Sequence, residues 1–310
     1  MVKDRIFELK ERLIEAVKKN PSEGLLFSGG LDSAILAAIA SQTKAITVSL
    51  ESYGEDIKYA HLCTKEFNLK HYHKRITTTE AVDAIPEVIK ILKSFDPAIP
   101  NDMVVYFGLK FAEEMGIKKI MTGDGSDELF AGYSFMKDIN NLSNYIEHIS
   151  HSMQFSSNKI GIFFGIEIIQ PYLDKEFIEF SLSIPPEIKI KRKKGKIWGK
   201  WILRKAFEGV LPRGIIWQDK RPLEYGSGMT KLREIISLRI SDKKFEEKKR
   251  SYPIKFINKE HLYYYEIYRN IVGEIPKPKL GQKACPACGA GMDTNAFHCK
   301  VCGNVQKWKG

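Results

Sequence analysis

The chain has 310 residues, 43% of them hydrophobic and 28% charged, with a formal net charge of +11. This length and balance suit a globular protein with a sizeable core and exclude a disordered or fibrous chain. No apolar run is long enough to span a membrane, and Met1-Val2-Lys3-Asp4-Arg5 is not followed by a signal core, so a cytoplasmic location without membrane contact is expected. The positive charge is uneven, crowding residues 189–200 and 243–250. Such a face can meet nucleic acid, gather phosphate ligands, or simply be solvated, and no aromatic-interleaved RNA motif accompanies either cluster.

In chain order, residues 3–19 read as an amphipathic helix with Ile6, Leu9, Leu13 and Val17 on one side. Leu25-Leu26-Phe27 is a short buried strand, Ser28-Gly29-Gly30 a tight turn, and the alanine-rich run after Ser33 a helix. Strand, glycine turn and helix together leave free N–H groups and a helix N-terminus aimed at one spot, which makes an anion site. Leu31 fills the turn, while the Ser28 and Ser33 hydroxyls add donors. Asp32 would repel a phosphate directly, but it suits a magnesium ion that bridges to one.

A second strand over residues 45–50, containing Val48, is followed by a helix over 56–67 and a third strand over 71–76. Residues 79–92 are helical with an interruption expected near Pro86, and residues 102–115 form another helix. The fourth strand, residues 118–122, runs into Thr122-Gly123-Asp124-Gly125-Ser126-Asp127-Glu128, a second strand-to-helix turn rich in carboxylates. Alternating strands and helices predict an α/β fold with a parallel, doubly wound sheet. Its ligand should sit beyond the carboxyl ends of the strands, with Asp127 facing Asp32 to share magnesium. Ser126 and Asp127 also suit a helix cap.

Residues 256–272, with Tyr263, Tyr264, Tyr265 and Tyr268, read as a helix packed on the core. A Lys-Pro linker precedes Cys285-Pro286-Ala287-Cys288-Gly289 and Cys299-Lys300-Val301-Cys302-Gly303. Two Cys-x-x-Cys turns at this spacing predict a closed structural zinc site, with the metal supplying the stability that so short a segment lacks. The remaining cysteine, Cys63, reads as a buried small hydrophobe.

Ser28-Gly29-Gly30-Leu31-Asp32-Ser33 resembles the PP-loop of ATP pyrophosphatases, which cleave ATP between the α and β phosphates on a HUP-like sheet. Residues 122–133 resemble the Ser-Gly-Glu-Gly-Ser-Asp-Glu-x-Phe-x-Gly-Tyr signature of asparagine synthetases. Residues 165–177, and the segment from Lys200-Trp201-Ile202-Leu203-Arg204 to Trp217-Gln218-Asp219-Lys220, extend that similarity over about residues 20–240. Together with the linker and the cysteine spacing, which lie outside the resemblance, it suggests four parts: an N-terminal helix (1–20), a PP-loop domain with a helical C-terminal portion (21–273), a linker (274–284) and a zinc ribbon (285–310). It implies that ATP lies against Ser28, Gly29, Gly30, Leu31, Asp32, Ser33, Val48, Gly123, Gly125 and Ser126. Asp32 and Asp127 are then the magnesium ligands, Lys220 the electrostatic catalyst, and Asp124 and Glu128 its support.

The implied reaction is adenylation of a substrate carboxylate followed by amide formation with ammonia or an amine. The family's glutaminase domain, with cysteine as residue two, is not matched, since residue two is Val2. Nitrogen is therefore expected from ammonia, an amine, or a separate ammonia-supplying protein. Asp124 replaces the family's glutamate, Ile169 its arginine, and residues 98–102 lack the Thr and Arg of the acceptor pocket. These departures leave the ATP half intact and put aspartate as acceptor in question. A tRNA-modifying PP-loop enzyme that adenylates a base, and an inactive ATP-binding partner subunit, are the alternatives.

Overall fold

A computed structural model of the chain describes residues 2–193 and 195–308. Five parallel strands form the central sheet: β1 (Gly24–Leu26), β2 (Lys44–Leu50), β3 (Lys70–Ile76), β4 (Lys119–Met121) and β5 (Glu167–Ile169), in spatial order β3-β2-β1-β4-β5. The chain winds outward through β2 and β3, then crosses back to place β4 on the other side of β1. That reversal opens a crevice at the carboxyl ends of β1 and β4. The expected doubly wound sheet is therefore present, with β5 as a fifth strand. β5 is as short as β1 and β4 but, unlike them, is not followed by the glycine-containing turn that marks those two strands in the sequence.

Alternation along the strands divides the core into two faces. Leu25, Ala45, Met121 and Ile169 point to one layer with α1 (Val2–Lys19), α2 (Leu31–Ile39) and α3 (Asp56–Phe67). Ile46, Val48, Leu50 and Ile120 point to the other, against α4 (Thr78–Leu92) and α5 (Ile99–Glu114). Two-sided burial explains why these strands are almost continuously apolar. Cys63 is fully buried in the first layer, where burial pushes its thiol up to about 12.

Two helix expectations change. Helix α4 runs unbroken through Pro86. A capping box between Thr77 and Glu80 starts it, and Ala81, Val82, Ile85, Val88, Ile89 and Leu92 bury its inner face, which outweighs the one hydrogen bond that proline removes. Helix α5 begins at Ile99 rather than Asp102, since Pro100 in its first turn is pre-set for helix and lacks an N–H that would go unused.

The described residues contain no helix long and apolar enough to cross a membrane. The C-terminal helix Lys259–Ile271 starts at Asn258, whose side chain accepts from His261 N–H at 2.8 Å. Its Tyr264, Tyr265 and Tyr268 are buried. Beyond the linker, strands Gln282–Ala284 and Gly291–Asp293 form a hairpin carrying the first cysteine pair. This cysteine-bearing segment docks on the domain. Phe95 N–H donates to Val301 O at 2.8 Å, Lys255 N–H to Ala287 O at 2.9 Å, and His298 lies 3.1 Å from Asp96. Phe95 is fully buried between His261, Tyr265 and Tyr268, in the same apolar cluster as the four cysteines. Phe95→Ala should lower the unfolding free energy by about 3–5 kcal/mol in a denaturant titration. A loss below ~1 kcal/mol would mean that the ring does not join the two parts.

Candidate functional site

The turn between β1 and α2 closes tightly on itself. Gly30 N–H donates to Ser28 Oγ at 3.2 Å, and Ser33 Oγ donates to Gly30 O at 3.3 Å. Gly29 sits at φ +67°, and a Cβ there would lie 2.7 Å from Ala60 N, so position 29 requires glycine on two counts. A cavity of about 930 Å³ opens in front, lined among others by Leu26, Ser28, Asp32, Ser33, Val48, Gly123 and Gly125. Gly30 and Leu31 line an adjoining smaller recess. Ser126 and Gly29, expected against the nucleotide, line neither. Ser126 is fully buried and spends its hydroxyl on Asp32 Oδ1 at 2.7 Å. Gly29 O accepts from Gln218 Nε2 at 2.9 Å, which ties the Lys220 segment to the loop.

The second turn brings Asp127 toward Asp32, as the sequence predicts, on the four-residue helix Ser126–Leu129. Between them lies a residue that sequence reasoning did not single out as functional. Lys200 Nζ is 2.6 Å from Asp32 Oδ2 and 2.6 Å from Asp127 Oδ1, with its side chain only 3% exposed. Lys220 Nζ is 2.6 Å from Asp127 Oδ2. Burial works against ionisation of Asp127, but Lys200 and Lys220 outweigh it and hold the carboxyl well below its usual range. For Lys220, desolvation is in turn outweighed by Asp127 and then Asp32, so its ammonium is held above the ordinary lysine value. Gly132 packs against this chain of charges, where a Cβ would collide with the Asp127 carboxylate. Buried Arg204 fixes the supporting strand of chain, donating to Gly199 O at 3.0 Å and Gln218 O at 3.1 Å. Lys200 is one of 49 basic residues inside a basic run, so only its Gly-Lys-Trp setting in the family-like segment could have marked it.

Asp124 is held rather than free. Its Oδ2 accepts from Thr122 Oγ1 at 2.7 Å, Ser157 Oγ at 2.6 Å and Gln170 Nε2 at 2.9 Å. Ile169, at the position of the family's arginine, is buried in the sheet, and the neighbouring Gln170 makes the polar contact instead. Glu128 lines the cavity and accepts from Tyr133 Oη at 2.7 Å. Burial, and then the charge of Asp127, push its carboxyl up to about 7.

The four cysteines Cys285, Cys288, Cys299 and Cys302 converge, with their sulfurs all within 4.8 Å of one another. Two of the separations are 3.7 and 3.8 Å. A tetrahedral zinc with bonds of ~2.3 Å puts its sulfurs roughly 3.8 Å apart, so the cluster suits one such ion.

A glycine turn and an acidic turn, meeting across two neighbouring parallel strands, define a nucleotide-binding α/β protein of the PP-loop type. The family model for asparagine synthase matches residues 8–160 and 151–274, and the chain belongs to that family. Curated relatives include the glutamine-hydrolysing asparagine synthetase 2 of Lotus japonicus, 27% identical over 83% of this chain and 49% of that protein. Asparagine synthetase B of Escherichia coli is 28% identical over 91% of this chain and 56% of its own length. The chain thus spans about half the length of these relatives. Among solved structures, the U34-tRNA thiolase NcsA from Methanococcus maripaludis with its 4Fe-4S cluster aligns with 98% of this chain and 89% of its own, at 13% identity and a TM-score of 0.37.

The raised Glu128 carboxyl has a thermodynamic consequence. Folded Glu128 keeps its proton up to about pH 7, whereas unfolded glutamate loses it near 4.5. Its protonation therefore favours the fold fully below 4.5, and that benefit disappears as the pH rises to 7. Denaturant titrations at pH 4.5 and 7.5 should show wild-type stability falling relative to Glu128→Gln across this window. A constant difference would place the carboxyl at its ordinary value.

Proposed function

We propose that the chain is an AMP-forming, ATP-dependent ligase that adenylates a substrate carboxylate and joins it to ammonia or an amine. The observation that carries this reading is the run Asp32–Lys200–Asp127–Lys220 at the mouth of the loop. ATP lies with its outer phosphates on residues 28–33 and its base toward Leu26 and Val48. A carboxylate oxygen of the substrate attacks the α-phosphorus, and the bond to pyrophosphate breaks. Lys200 and Lys220 stabilise the negative charge that grows on the phosphates, in a site whose dipoles are already set. The nitrogen nucleophile then displaces AMP from the acyl carbon.

The hard oxygens of Asp32 and Asp127 suit magnesium, and an ion shared between them would displace Lys200 Nζ, which lies 2.6 Å from Asp32 Oδ2 and from Asp127 Oδ1. These two residues would hold the ion, which would neutralise phosphate charge. Asp124 positions the turn through its three donors. The cysteine site would hold structural zinc and takes no part in the chemistry, since four thiolates close the coordination shell.

ATP–pyrophosphate exchange across a panel of amino and organic acids tests the reading. One or more acids should stimulate exchange, and Lys220→Ala should cut it by about 10²–10³. Stimulation by no acid, or exchange that survives in Lys220→Ala, would refute it. Elemental analysis should find one zinc per chain. Cys299→Ser should lose the metal and lower the melting temperature. Iron in place of zinc would overturn that assignment.

A further inference from the structure

A second cleft, of about 1290 Å³, lies between the acidic turn and the cysteine-bearing segment. It meets the nucleotide cavity at four shared residues, Glu128, Tyr133, Phe135 and Phe155. A line of rings runs from that junction to the cysteine-bearing segment. Tyr133 and Phe135 stack at 5.6 Å and 11°, and Phe135 meets Tyr145 edge-on at 6.2 Å. Tyr145 then meets Phe297 at 5.6 Å and Trp308 at 5.4 Å. Phe135 is 52% exposed, although it stands at the entrance to the catalytic cavity. Of the four junction residues only Glu128 carries charge. Its carboxyl oxygens can accept hydrogen bonds from an amine or ammonium that reaches the neck from the cleft.

We propose that this cleft is the nucleophile site and that it takes a primary amine carried on a planar aromatic or heteroaromatic ring, in place of free ammonia. The proposal rests on the ligase reading and names the nitrogen donor of the same site. The ring stacks along Phe135 and Tyr145, and the ammonium reaches Glu128. The ammonium, held by hydrogen bonds to Glu128, gives up one proton to water. The nitrogen lone pair then attacks the acyl carbon, the C–N bond forms, and the bond from carbon to the AMP oxygen breaks. AMP leaves with the bonding pair, and the second nitrogen proton passes to water. The cysteine-bearing segment supplies Phe297 and Trp308 and is thus a wall of the active site.

Calorimetric titration of the full-length, metal-loaded, ATP-saturated protein tests this with three probes. Tyramine has both ring and ammonium, butylamine lacks the ring, and 4-ethylphenol lacks the ammonium. Tyramine should bind at least tenfold more tightly than either, and Phe135→Leu should weaken it at least tenfold while keeping the wild-type melting temperature. Glu128→Gln should bring tyramine and 4-ethylphenol to similar affinity. Equal binding of the three probes, no binding of tyramine, or an unaffected Phe135→Leu would overturn the proposal. So would tight capture of decaadenylate without a preference for tyramine, which would make the cleft a nucleic-acid surface. Pyrophosphate exchange on the same preparation separates the two readings. Exchange without a tyramine preference removes only the amine assignment, and loss of exchange with every acid removes the ligase itself.

Discussion

One buried ammonium holds this site together. Lys200 joins the aspartate of the glycine turn to the aspartate of the second turn, two segments nearly a hundred residues apart in the chain. Bringing two carboxylates side by side out of water is costly, and it becomes tolerable only when cations of matching geometry are buried with them. Lys200 and Lys220 meet that need, and the surrounding backbone is shaped to admit them. Gly132 leaves room for the pair, and Lys200 itself adopts φ +55°. Arg204 braces the stretch leading to Lys220 by donating to the carbonyls of Gly199, Ile216 and Gln218. Removing Lys200 would leave the Asp32 carboxylate without the cation that faces it.

The sheet determines where this cluster falls. Because the winding reverses between β1 and β4, their carboxyl ends border an open crevice instead of a packed connection. Each strand there ends in a short turn, so backbone N–H groups and carboxylates are brought within a few ångströms on opposite sides of one opening. Helix α5 and β2 close the apolar end, where Leu26 and Val48 meet the cavity. The result is a site with an apolar pocket at one side and a dense charge network at the other, as a nucleotide requires.

The cysteine-bearing segment extends the same logic outward. It is too short for a core of its own, so it borrows one: its cysteines, Ala290 and Met292 belong to the apolar cluster of α4, α5 and the C-terminal helix. It also grips residues 94–96 just before Pro97 and Ala98, which line the nucleotide cavity. A metal held by the four cysteines would thereby be linked to the shape of that opening through backbone contacts.

The amino-acid sequence alone determined the alternating α/β order, the glycine turn, the facing aspartates, the family resemblance and the cysteine spacing. Each is a local pattern, set by strand and helix periodicity or by residues a few positions apart. Tertiary structure alone decided which lysine completes the site, since Lys200 is set apart from the other basic residues of its run by reaching both Asp32 and Asp127. It also carried α4 through Pro86, because burial of six apolar side chains outweighs a local breaker. It turned Ser126 from the cavity onto Asp32, and it folded the C-terminal segment back beside Glu128. These outcomes depend on contacts between residues far apart in the chain, where desolvation and charge pairing, not local propensity, set the energy.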